Sequence, residues 1–113
     1  MASVYVNNLV VNSGTDFSQT FTLESNENDS TLNLTGYTVS AQMRKYSGSS
    51  TFTTFTSNIP SPTTLGKIII SLTSNQTIDL KPGRYLYDIV INKDSVKTRV
   101  IEGMVLVREG VTR

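Results

Sequence analysis

Three carboxylates, Glu24, Glu27 and Asp29, stand within six consecutive positions and are the side chains best spaced for acid–base work. Two carboxyl groups brought together can divide the roles of proton donor and base, which is how hydrolysis proceeds without histidine. The same acids alternate with Asn26 and Asn28, whose oxygens with theirs could surround a calcium ion. The segment lacks the spacing of a calcium loop, however. It reads as a polar connection from Ser25 to Ser30, where solvated carboxylates are expected. With no Cys, no His and no Trp, the chain also excludes thiolate nucleophiles, disulfides, Cys/His zinc sites and imidazole bases. No serine sits on a strained elbow beside a lysine. The expectation is a protein that is not an enzyme, with no catalytic residue, no metal and no cofactor.

Binding chemistry is the other possibility. Arg44, Lys45, Arg84, Lys97 and Arg99 could form a basic stripe, but Asp88, Glu102 and Glu109 interrupt it. Ten basic and nine acidic side chains leave a net charge of +1, without the surplus that phosphate neutralisation demands, so no nucleic acid is expected as a partner. No apolar run nears the ~20 residues of a membrane span, so no membrane is expected either. Tyr46, Phe52 and Phe55 could build an aromatic platform for sugar stacking. The plainer reading packs both Phe on a sandwich edge with Tyr46 shielding them. Apolar residues crowd both ends of the chain, at Leu9, Val10 and Val11 and again at Met104, Val105, Leu106 and Val107. A strand apolar on both faces is either central in a two-layer core or covered by another chain. Leu9, Val11, Met104, Val105, Leu106 and Val107 are accordingly candidates for a subunit contact, in a homo-oligomer or symmetric array.

The elements that must position these groups are strands. A chain of 113 residues is one domain, 1–113, and 37% hydrophobic with 17% charged residues and abundant Thr, Val, Ile and Tyr is a β-rich profile. The start, Met1-Ala2-Ser3-Val4-Tyr5, carries no secretory signal, so the sequons at Asn28, Asn33 and Asn75 read as chance matches. Lack of Cys fits folding in a reducing cytoplasm, or a route to the outside that avoids an oxidising compartment. Lys81-Pro82-Gly83-Arg84 suits a type II turn, Pro fixing φ at the second place and Gly accepting φ > 0 at the third. After it Tyr85, Tyr87, Ile89 and Ile91 alternate with Arg84, Leu86, Asp88 and Val90, the period of a strand with one face on a core. Tyr85 is placed to act as a tyrosine corner.

Further strands are expected at Val4–Val11, broken near Asn7-Asn8, and at Asp16–Glu24. Leu32 and Leu34 open another that runs through Tyr37, Val39, Ala41 and Met43, with Gly36 as a kink. Thr51–Ile59 reads as an edge strand of weak register, and Lys67–Leu72 turns Ile68, Ile70 and Leu72 inward. A capped turn at Thr73–Asp79 crosses between sheets, and Val96–Arg108 closes the chain with Gly103 as a bulge. The sum is an all-β, Ig-like antiparallel β-sandwich of seven to eight strands.

Laid out in this order, the chain resembles a family of small β-sandwich proteins of tailed-bacteriophage virions, namely the immunoglobulin-like N-terminal domain of baseplate upper proteins and short cyanophage-type structural proteins. The matching stretches are Asp16-Phe17-Ser18-Gln19-Thr20-Phe21-Thr22-Leu23, Leu34-Thr35-Gly36-Tyr37-Thr38-Val39-Ser40-Ala41-Gln42-Met43-Arg44-Lys45, Gly66-Lys67-Ile68-Ile69-Ile70-Ser71-Leu72-Thr73 and Leu80-Lys81-Pro82-Gly83-Arg84-Tyr85-Leu86-Tyr87-Asp88-Ile89. They cover roughly residues 16 to 108, and each is a structural motif. The resemblance implies a virion location and a role in assembly among other virion proteins, in the tail or baseplate region, with capsid decoration as the alternative. A carbohydrate-binding module for the host surface is the alternative of another class. The sequence stops at Arg113 without the helical or receptor-binding region of the baseplate proteins, so a stand-alone piece is expected.

Overall fold

A computed structural model of the chain describes residues 5–24, 32–46 and 48–111. The chain opens as one strand in two pieces, β1 (Tyr5–Val6) and β2 (Leu9–Asn12), parted at Asn7-Asn8. A turn closed by the Thr15 amide on the Asn12 carbonyl at 3.2 Å leads into β3 (Phe17–Thr22). Then come β4 (Thr38–Arg44), β5 (Thr53–Thr54), β6 (Thr56–Asn58) and β7 (Lys67–Leu72). A one-turn helix α1 (Ser74–Thr77) precedes the two long strands β8 (Gly83–Lys93) and β9 (Val96–Arg108). The larger sheet runs β1–β9–β8–β4–β5 with β2 also on β9; the smaller runs β3–β7–β6. Nine strands lie among the described residues, and joining the interrupted pair β1–β2 leaves eight, in the Ig-type division of three strands against a larger sheet. One departure from a purely antiparallel plan is that β1 and β2 run parallel to β9.

Alternation decides which side chains meet between the sheets. On β8 Tyr87, Ile89 and Ile91 are buried, and on β7 Ile68, Ile70 and Leu72 face them. Leu9 and Val11 of β2 and Val105 and Val107 of β9 join the same core. Phe55 lies in its middle, with Phe17 and Tyr87 at ring-centroid distances of 6.1 and 6.3 Å. Its position explains the irregular spacing of Thr51–Ile59. β5 pairs with β4 in the larger sheet and β6 with β7 in the smaller, so the chain changes sheets at Phe55, whose amide bonds the Ala41 carbonyl at 3.0 Å. The segment is a crossover rather than one edge strand.

Three other local expectations are corrected. Leu32 and Leu34 are not strand residues: their amides bond the Leu23 and Thr63 carbonyls at 2.9 and 3.0 Å, and the Leu34–Tyr37 turn separates them from β4. Gly83 takes φ +138 and already pairs with Val107 as the first residue of β8, so Pro82-Gly83 forms a bend instead of a type II turn. The Lys81 carbonyl accepts from the Tyr85 hydroxyl at 2.7 Å, the back-bond of a tyrosine corner. The bulge in β9 falls at Val100 rather than Gly103, because Val90 pairs with Arg99 and Ile89 with Ile101. The extra residue lets the successive apolar side chains Val100 and Ile101 both enter the core.

The crossing at Thr73–Asp79 is held by reciprocal side-chain bonds. Thr73 and Gln76 form a capping box, and Asp16 Oδ1 accepts from the Ser74 amide at 2.7 Å. Thr77 is fully buried yet satisfied: its hydroxyl donates to the Thr15 carbonyl at 2.8 Å and accepts from the Gly14 amide at 3.0 Å. The helix is thus fastened to the turn between β2 and β3.

Candidate functional site: the outer face of the larger sheet

Every second residue of the larger sheet points away from the core. The ladder sets these outward residues in rows across the strands. One row is Val6, Glu102, Asp88 and Gln42; the next holds Met104, Leu86 and Arg44; a third holds Val10, Leu106 and Arg84. Val6 (74% exposed), Val10 (50%), Leu86 (42%), Met104 (42%) and Leu106 (41%) therefore form one apolar field instead of scattered single contacts with water. The field borders a shallow depression of about 650 Å³, lined among others by Val6, Asn8, Leu86, Asp88, Glu102 and Met104.

Charge frames the field. Asp88 and Glu102 lie directly opposite one another on β8 and β9, an arrangement that like charges disfavour. Arg99 offsets it, its Nε 3.1 Å from Asp88 Oδ2 and one terminal nitrogen 3.8 Å from Glu102 Oε1. All three groups are substantially exposed, so these ion pairs orient side chains and add little to stability. At the opposite end of the field stand Arg84 and Arg108. Arg44 is committed locally. It donates to the Ser49 carbonyl at 2.5 Å and to Gln42 Oε1 at 3.2 Å, and its guanidinium covers the Phe52 ring 4.5 Å from the centroid.

Beneath the depression the backbone is unusually close. The Asn7 carbonyl folds over Gly103, where any Cβ would strike it, and the buried Tyr87 hydroxyl donates to that carbonyl at 2.5 Å. Asn8 Oδ1 takes the Met104 amide at 3.1 Å, in place of the ladder carbonyl that the break withholds. Burial pushes the Tyr87 phenol up to about 12, so it remains a donor through the whole neutral and mildly alkaline range.

The six apolar residues marked for a subunit contact divide between two environments. Leu9, Val11, Val105 and Val107 are core residues of this chain and unavailable to another. Met104 and Leu106 lie on the outer face, joined there by Val6, Val10 and Leu86. Leu86 was legible as the outward residue between Tyr85 and Tyr87; Val6 had no signal short of the parallel pairing of β1 with β9. The aromatic platform does not assemble, because residues three apart on an extended chain face opposite sides: Phe55 is in the core while Phe52 and Tyr46 are exposed. Glu27 and Asp29 lie outside the described residues, and Glu24 is exposed. Among the described residues no group of three His, Cys, Asp or Glu could hold a metal ion, and no helix is long and apolar enough to cross a membrane.

No family model and no curated protein matches the sequence. Solved structures do share its shape. The chain is similar to part of InlP from Listeria monocytogenes, with a TM-score of 0.51 at 11% identity over 95% of this chain and 28% of that one. Part of a family 123 glycoside hydrolase from Clostridium perfringens follows at a TM-score of 0.47 and 14% identity, over 96% of this chain and 24% of that one. The chain thus spans less than a third of either protein. At these identities the first likeness shows the fold, a β-sandwich, and nothing about activity.

Proposed function

We propose that this chain is a structural protein of a tailed-phage virion, an assembly module of the tail or baseplate region. It binds other virion subunits through sheet surfaces and strand edges and carries out no reaction of its own. The apolar field of Val6, Val10, Leu86, Met104 and Leu106 on the outer face of the larger sheet carries the reading. A contiguous apolar patch rimmed by charge is what a docking surface exposes before its partner arrives. The resemblance of residues 16 to 108 to virion sandwich modules supplies the setting.

The strand edges differ in what they can offer a partner. β9 is flanked by β8 on one side and by β1 and β2 on the other, so Met104–Val107 has no edge to offer, and β5 is only two residues long. β3 is the longest edge strand among the described residues, six residues without charge or proline and with β7 as its one partner. That is the edge suited to strand addition.

The reading is tested on particles. Phage purified by density gradient from the host that makes this chain should contain it in a fixed copy number by quantitative mass spectrometry. Antibody–gold should decorate the tail or baseplate. Gold over the head instead moves the chain to capsid decoration, and its absence from particles overturns the proposal.

A further inference from the structure

We propose that the outer face of the larger sheet is a two-fold interface between two copies of this chain, with Leu86 and Met104 at its centre. This deepens the assembly reading above and rests on it only for its biological setting. The face is self-complementary in charge along β8. Arg84 and Asp88 lie on β8 two residues to either side of Leu86, both on the outer face. A two-fold axis lying in the interface, across the strands and through the Leu86–Met104 row, reverses the strand direction between copies. It therefore sets Arg84 of each copy over the partner's Asp88, and Val10 over the partner's Val6. Leu86 and Met104 meet their own copies, Leu106 lies over the partner's Glu102, and each basic end meets an acidic end that holds two carboxylates against one guanidinium, Arg99. Parallel stacking of the same faces would superpose like charges at both ends. The geometry thus selects one orientation.

Size agrees with a second copy of the chain. Four strands ~4.8 Å apart and about five residues at ~3.3 Å each give a patch roughly 20 Å on a side. Covering it on both copies removes on the order of 1,000 Å² from water, the low end of specific interfaces. Two such sheets pack near-aligned, as within a sandwich. An interface of this size belongs to the weak, concentration-dependent class.

Sedimentation velocity on the full chain across concentration is the test. Wild type should move from monomer to dimer, and Met104→Lys should stay monomeric with an unchanged far-UV CD spectrum and melting temperature. Arg84→Glu and Asp88→Arg should each weaken self-association by about tenfold or more, since each sets like charges across both ends. Mixing those two variants should restore dimers, because each then supplies the charge that the other lacks. Wild type monomeric to millimolar concentration, a dimer indifferent to Met104→Lys, or single variants not rescued by mixing would each overturn the two-fold interface. A monomer that nevertheless resides in virions sinks this inference alone; a dimer absent from virions sinks only the virion reading.

Discussion

Tyr87 joins the core, the first strand and the floor of the outer-face depression through one hydroxyl. Its phenol ionises near 10 in an unfolded chain and near 12 in the folded one, where burial disfavours the phenolate. Between those values the unfolded chain has released a proton that the folded chain retains. Stability from this group is therefore whole below pH 10 and is lost as pH rises through 12, by up to roughly 2–3 kcal/mol. Urea midpoints for wild type and Tyr87→Phe should differ by a constant amount from pH 7 to 9.5 and converge above pH 10. A difference that ignores alkaline pH would show that burial does not hold the phenol neutral. At this scale the sequence was partly legible. Pro82-Gly83 before Tyr-x-Tyr marked Tyr85 as a back-bonding tyrosine, but the partner of Tyr87 is 80 residues away and no local pattern names it.

At the scale of elements, the interruption between β1 and β2 is a built feature. The register is unbroken across it, Val6 opposite Glu102 and Leu9 opposite Val105, so nothing is inserted or deleted. The chain instead dips inward at Asn7, which only a glycine at 103 permits. Gly103→Ala should cost about 1–3 kcal/mol, as an overpacked core position does. Amide exchange should rise first at residues 5–8, ahead of β8. Equal loss of protection throughout β8 and β9 would count against this localised account. Strands with strict alternation, such as β7 and β8, could be read directly because one face of each is buried. Phe52 and Phe55 were misread as a pair because a change of sheet midway through a segment has no periodicity of its own. Gly103 was correctly singled out but for the wrong reason. Glycine marks either a bulge or a close approach, and only the path of the distant first strand distinguishes the two.

For the whole molecule, the first strand completes what the last begins. Leu9 and Val11 close the core against Val105 and Val107, and β1 and β2 cover an edge of β9. Removing residues 1–12 withdraws two buried side chains worth about 1.5–3 kcal/mol each and bares the edge of β9 from Ile101 to Arg108. The truncated chain is expected to aggregate on expression. A soluble, cooperatively melting product would contradict this role for the first strand. The parallel sense of that pairing also has a mechanical consequence. Tension applied at the two ends of the chain draws β1–β2 and β9 along the same line in opposite directions. The hydrogen bonds from Tyr5–Ile101 to Asn12–Arg108 are then loaded together in shear, not unzipped one by one, and the domain resists stretching along its length better than its modest size implies.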